Sequence, residues 1–271
     1  MRKCVFLALL FTFLSSVVWA TDLKEIMDKL AEKQAKTKNS LTSVKIISET
    51  VTSLGESKIV MRGVVYQKGN KIRSESEPIE TSSDIPKEYL QKTVTVFDGK
   101  DLWIISPAGT QRIPMALGDV EKLKPLDDLT WLTDYANYMT LKGEEVVNGH
   151  PCYVISISKP SEMVLYLDKN SLEWVKSEQD INGDKMVVER KDFRSLPGIP
   201  EVSIPYKIFI FMNGEKLAET TVKDVQVNPS IPDTLFVVKT SVPSPSKVKG
   251  KGEGEGDSGK GAWDKLKELA K

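Results

Sequence analysis

Residues able to do covalent or metal chemistry are scarce in this chain. It has one histidine, His150, and two cysteines, Cys4 and Cys152. A Ser-His-Asp or Cys-His site would have to use His150, and a zinc site with several His or Cys ligands is excluded by counting. His150 and Cys152 lie two apart in a strand pattern, so both point to one face. Such neighbours sit about 7 Å apart on an extended strand, too far for a direct hydrogen bond without distortion. The preferred reading is a turn histidine in Asn148-Gly149-His150-Pro151, followed by a small apolar core cysteine. Carboxylates are abundant, as in Glu144-Glu145, but nothing in their spacing singles out a catalytic pair. P-loop, HExxH, CxxC and GxSxG patterns do not occur. The expectation is a protein that is not an enzyme and uses no cofactor and no metal.

The front of the chain says where such a protein works. Arg2 and Lys3 precede an apolar run from 5 to 18, and Val18-Trp19-Ala20 offers a cleavage site. Residues 1–20 therefore read as a secretory signal cut after Ala20. The run is shorter than the ~20 residues needed to span a bilayer, and no cysteine follows it for lipidation. Export to the periplasm is expected, where free ATP and NADH are not. Lys+Arg and Asp+Glu balance at 38 each, so no basic excess points to nucleic acid. The mature chain keeps only Cys152, which leaves no intramolecular disulfide.

The elements that position the side chains are mostly strands. Residues 22–36 read as a helix capped by Asp22, with Glu25 as reciprocal partner and Leu23, Ile26, Met27 and Leu30 on one face. A meander follows over 41–53, 58–68, 71–77, 93–97, 101–105 and 111–114, with Gly-containing turns between. Residues 119–124 and 127–138 favour helix. Strands resume at 141–147, 152–158, 163–168, 174–180, 186–193, 206–212 and 217–227. Their turns include Asn148-Gly149, Asn182-Gly183 and Asn213-Gly214. Several strands are apolar on both faces, as in Met163-Val164-Leu165-Tyr166-Leu167 and Ile208-Phe209-Ile210-Phe211-Met212. One face can seat the helices while the other lines a cavity. The fold class expected is mainly β: an incomplete antiparallel barrel, a curved sheet of about 11 strands, with the first and middle helices as a lid over an apolar cavity. The domain spans 21–240. A Pro/Gly/Lys-rich linker (241–261) and a short amphipathic helix or disordered tail carrying Trp263 (262–271) complete the chain.

Four segments, in order, resemble the bacterial lipoprotein-localisation carriers LolA and LolB and the wider group of outer-membrane lipoprotein-sorting proteins. They are Lys68-Gly69-Asn70-Lys71-Ile72-Arg73, the stretch from Val96-Phe97-Asp98-Gly99-Lys100 through Trp103 to Pro107, Gly143 to Tyr153 around Asn148-Gly149, and Ile231-Pro232-Asp233-Thr234-Leu235-Phe236. The resemblance implies a half-barrel that binds acyl chains of lipoproteins or related lipids. It also implies carriage toward the outer membrane between an inner-membrane donor and an outer-membrane acceptor, and Arg73 as the residue that holds the lid. A monomer is expected. Strand alternation selects Trp103 and Ile105, then Tyr153, Ile155 and Ile157, then Leu165 and Val188, then Phe209 and Phe211 as cavity wall. Trp131 and Tyr135 join them from the lid. The alternative kept open is a periplasmic sensor or regulatory domain on the same fold, reading lipidated or unfolded envelope proteins and using the Trp263 segment as its docking element.

Overall fold

The structure is a computed structural model that describes residues 22–82, 90–114, 129–159 and 162–238. The signal (1–20), the candidate helix at 119–124, the linker and the Trp263 segment lie outside the described residues. The first element is α1 (Leu23–Ser40), which continues past the expected end at residue 36. Asp22 caps it by accepting from the Lys24 amide at 3.3 Å. Glu25 was expected to complete a capping box; it holds Lys29 at 2.7 Å, one turn along.

Six strands form the first meander: β1 (Ser43–Leu54), β2 (Ser57–Lys68), β3 (Lys71–Thr81), β4 (Thr93–Phe97), β5 (Asp101–Ser106) and β6 (Gly109–Pro114). A 3-10 segment, Leu129–Tyr138, stands where a middle helix was expected. The second meander has β7 (Met139–Val147), β8 (His150–Ile157), β9 (Met163–Asp168), β10 (Trp174–Ile181), β11 (Asp184–Leu196), β12 (Ile199–Met212) and β13 (Glu215–Val227). All thirteen belong to one sheet, ordered β6-β5-β4-β3-β2-β1-β13-β12-β11-β10-β9-β8-β7. Every pairing is antiparallel, and the two meanders join where β1 pairs with β13. The end strands β6 and β7 do not pair with each other, so the curved sheet is an incomplete barrel. Three hairpins turn on Asn-Gly with both residues at positive φ (53° and 85°, 57° and 88°, 51° and 86°), the twist that antiparallel neighbours need.

The strand count exceeds the expected eleven or so, and the β11–β12 hairpin is longer than expected. The expected strands stop at 193 and resume at 206, and Pro197, Pro200 and Pro205 fall in that interval. Pro200 and Pro205 lie in the first half of β12, which pairs with β11, whereas β12 pairs with β13 only over 207–212. A proline costs no ladder bond where its strand has an unpaired side.

The sheet has two unlike faces. On the helix face, Ile26 and Leu30 of α1 and Leu132 pack on Tyr153, Ile155, Ile157, Leu165 and Leu167. Full burial of each large aliphatic side chain contributes about 1.5–3 kcal/mol. On the same face, Leu196, Ile199, Val202 and Ile204 of the β11–β12 hairpin close over Val44 and Ile46 of β1.

Candidate functional site

Between those two clusters the helix face carries a strip of apolar side chains. The register sets Met186 opposite Met212, Val188 opposite Ile210 and Arg190 opposite Ile208. Ser177 opposite Leu165 and Val188 ties this row to the face on which α1 rests. Met186, Val188, Ile208, Ile210 and Met212 are half-buried. They belong to none of the packed clusters among the described residues. At one end the Arg190 guanidinium stacks 3.6 Å from the Trp174 ring centroid, and Trp174 itself packs against the α1 cluster.

The residues chosen from sequence separate accordingly. Tyr153, Ile155, Ile157 and Leu165 lie on the helix face, but as the seat of α1: they are 6, 0, 2 and 0 % exposed. Tyr135 packs against the same cluster. Val188 lies in the strip. The side chain of Trp131 lies outside the described ones. Four choices fall on the far face and are corrected. Trp103 and Ile105 pair with Val96 and Val94 and pack beneath the C-terminal segment. Phe209 and Phe211 pair with Glu189 and Val187, and Lys191 sits 5.3 Å from the Phe209 ring centroid. In Ile208-Phe209-Ile210-Phe211 both alternation sets are apolar, so period two could not choose a face. Ile208, Ile210 and Met212, the set passed over, lie on the helix face.

Arg73 is corrected as well. It faces away from α1, pairing with Tyr66 and Val96. Its Nη1 donates to the Leu235 carbonyl at 3.1 Å and its Nε to Glu75 at 2.7 Å. Lys68 donates to the Ile231 carbonyl and to Asp233, each at 3.0 Å, and Lys71 donates to Asp233 at 3.1 Å. The 3-10 turn Asp233–Phe236 is thus strapped to the far face, with Ile231 and Phe236 buried on Val94 and Val96. Asp98 completes the joint. Its carboxylate accepts from the Lys100 and Asp101 amides at 2.9 Å and from Trp103 Nε1 at 2.8 Å. Burial alone would raise the Asp98 pKa, but these donors outweigh it and hold the carboxyl below its ordinary value. Three of the four segments that carry the family resemblance therefore meet in one structural clasp.

The histidine and the cysteine do not cooperate. His150 Nδ1 lies 2.9 Å from Asp168, a carboxylate only 4 % exposed that also accepts the Asn170 and Ser171 amides. Cys152 donates to the His150 carbonyl at 3.3 Å. Burial, with Asp168 nearby, pushes its thiol up to about 11, the state of an inert core cysteine. The Asp168 contact was invisible in sequence, since only the β8–β9 pairing brings Cys152 opposite it. Among the described residues no group of three or more His, Cys, Asp or Glu side chains could hold a metal ion.

No family model and no curated protein matches the sequence. Solved structures do match the fold. A DUF1329 family protein from Desulfovibrio piger aligns with a TM-score of 0.56 at 14% identity, over 80% of this chain and 98% of its own. A putative outer membrane lipoprotein-sorting protein domain from Vibrio parahaemolyticus gives 0.53 at 14% identity, over 77% and 94%. A LolA superfamily protein from Nitrosomonas europaea gives 0.51 at 17% identity, over 78% and 97%. The open thirteen-strand sheet with its seated N-terminal helix is therefore the LolA fold.

Proposed function

We propose that this protein is a periplasmic lipid-binding protein that carries the acyl chains of lipoproteins, or of related lipids, toward the outer membrane. The observation that carries the proposal is the strip Met186, Val188, Ile208, Ile210 and Met212: half-buried, apolar, beside α1 and outside the packed clusters of the described residues. Each acyl CH₂ that leaves water for such a wall contributes about 0.8 kcal/mol, so a chain can be held with no covalent step. Release then needs a better acceptor or a change in how the helix sits. The signal-like residues 1–20 support a site of action outside the cytoplasm.

The test is mass spectrometry of organic extracts from the mature protein, exported in a two-membrane bacterium and purified without detergent. Wild type is expected to yield lipid or lipopeptide at about one per chain, and Ile210→Asp to lose it while keeping a cooperative unfolding transition. Clean wild-type extracts, with no displacement of an apolar dye by fatty acids, would sink the proposal.

A further inference from the structure

A second concavity lies at the polar edge of α1. It is a cleft of about 550 Å³ between α1, the β9–β10 turn and the back of the β11–β12 hairpin. Its charges balance: Lys29, Lys33 and Lys36 of α1 line it together with Glu32 of the same helix, Glu173 and Glu201. The ion pairs alternate along one wall. Lys33 lies 3.8 Å from Glu173 and donates to the Ser171 carbonyl at 2.7 Å, and Lys36 holds Glu32 at 2.8 Å. Glu173 is only 17 % exposed, and burial pushes its pKa up despite Lys33. Ser203 also lines the cleft, and its buried hydroxyl has no hydrogen-bond partner. A part-buried carboxylate and an unsatisfied hydroxyl in one charge-balanced concavity are groups that a polar ligand would engage.

A chain of contacts leads from the cleft to the end of the apolar strip. Glu173 is followed by Trp174, whose ring meets Arg190, and Arg190 is paired with Ile208 at the end of the strip. We infer that this cleft takes a zwitterionic group bearing a primary ammonium and a phosphate. The phosphate would lie against the α1 lysines and the ammonium against Glu173 and Glu201. A purely anionic group fits worse, because it would meet three carboxylates together with the three lysines. The chemistry is that of an ethanolamine-phosphate headgroup whose acyl chains run along the strip, or of the free phosphoethanolamine. The lipid form of this inference rests on the carrier reading above.

Calorimetric titration of the mature protein separates the cases. The ligands are dihexanoyl phosphatidylethanolamine, dihexanoyl phosphatidylglycerol and free phosphoethanolamine. The expected result is about tenfold tighter binding of the ethanolamine lipid than of the glycerol lipid, with phosphoethanolamine competing. Glu173→Gln should erase the preference. Glu201→Gln, at an exposed position, should reduce it and guards against a folding defect in the first variant. Binding of phosphoethanolamine without either lipid would keep the cleft and remove the carrier reading. Equal binding of the two lipids, unchanged in both variants, would keep the carrier and overturn the cleft. No binding of any of the three would overturn both.

Discussion

A single carboxylate shows how much one residue organises. Asp98 fixes its own turn through two amides and fixes Trp103 through the indole, so Asp98→Ala leaves a part-buried indole N–H without its acceptor. The expected loss is about 2–3 kcal/mol, read as a lower urea midpoint at unchanged slope. Gly99 beside it has φ +99°, and a Cβ there would meet the Asn70 amide nitrogen at 3.3 Å. Asp98-Gly99 was legible as a turn, but its hold on Trp103 was not. The same acceptor geometry sets the acid response. Asp98 and Asp168 are both held below their ordinary pKa: burial opposes this, and amide donors with Trp103 or His150 prevail. A depressed folded pKa contributes stability above the unfolded value and loses it as pH falls through the folded one. Thermal stability should therefore fall progressively below about pH 4, the ordinary carboxylate range. Asp168→Asn should flatten that fall, and a melting series across pH checks it. Cys152 belongs to this scale too. With its thiol pushed up to about 11, it should react with a thiol reagent only after unfolding.

At the scale of elements, turns were readable and faces were not. Asn-Gly pairs at positive φ announce a hairpin whatever surrounds them. The side of a strand that looks at α1 is a tertiary choice. Phe209 and Phe211 are as apolar as Ile208 and Ile210, and only the β11 and β13 registers separate them. The C-terminal turn was legible as a motif and opaque as an element. Its lysine and arginine contacts come from β2 and β3, far away in the chain. Phe236 is 2 % exposed at the centre of that contact. Phe236→Ala should cost about 3–5 kcal/mol, measured by denaturant unfolding, because the strap of lysine and arginine contacts holds the turn in place over the cavity and limits its collapse. Arg73→Ala should weaken the same strap without changing what the opposite face binds, which a dye-displacement titration would show.

At the scale of the molecule, the order of hairpins was visible in the sequence and the closure was not. Neighbouring strands pair locally, as turn signals predict, whereas β1 meets β13 with no local signal to say so. That junction sets the order of events during folding. Thr42 and Asn228, hydrogen-bonded at 2.8 Å beside it, lie 186 positions apart. Both meanders can form as strings of local hairpins, but neither can dock until the last strand is present, and the closure entropy of so long a loop delays the step. A chain ending before Glu215 should retain strand content yet lose its cooperative transition. The full-length protein should refold slowly enough for a translocase or holding chaperone to meet it while its two halves are still apart.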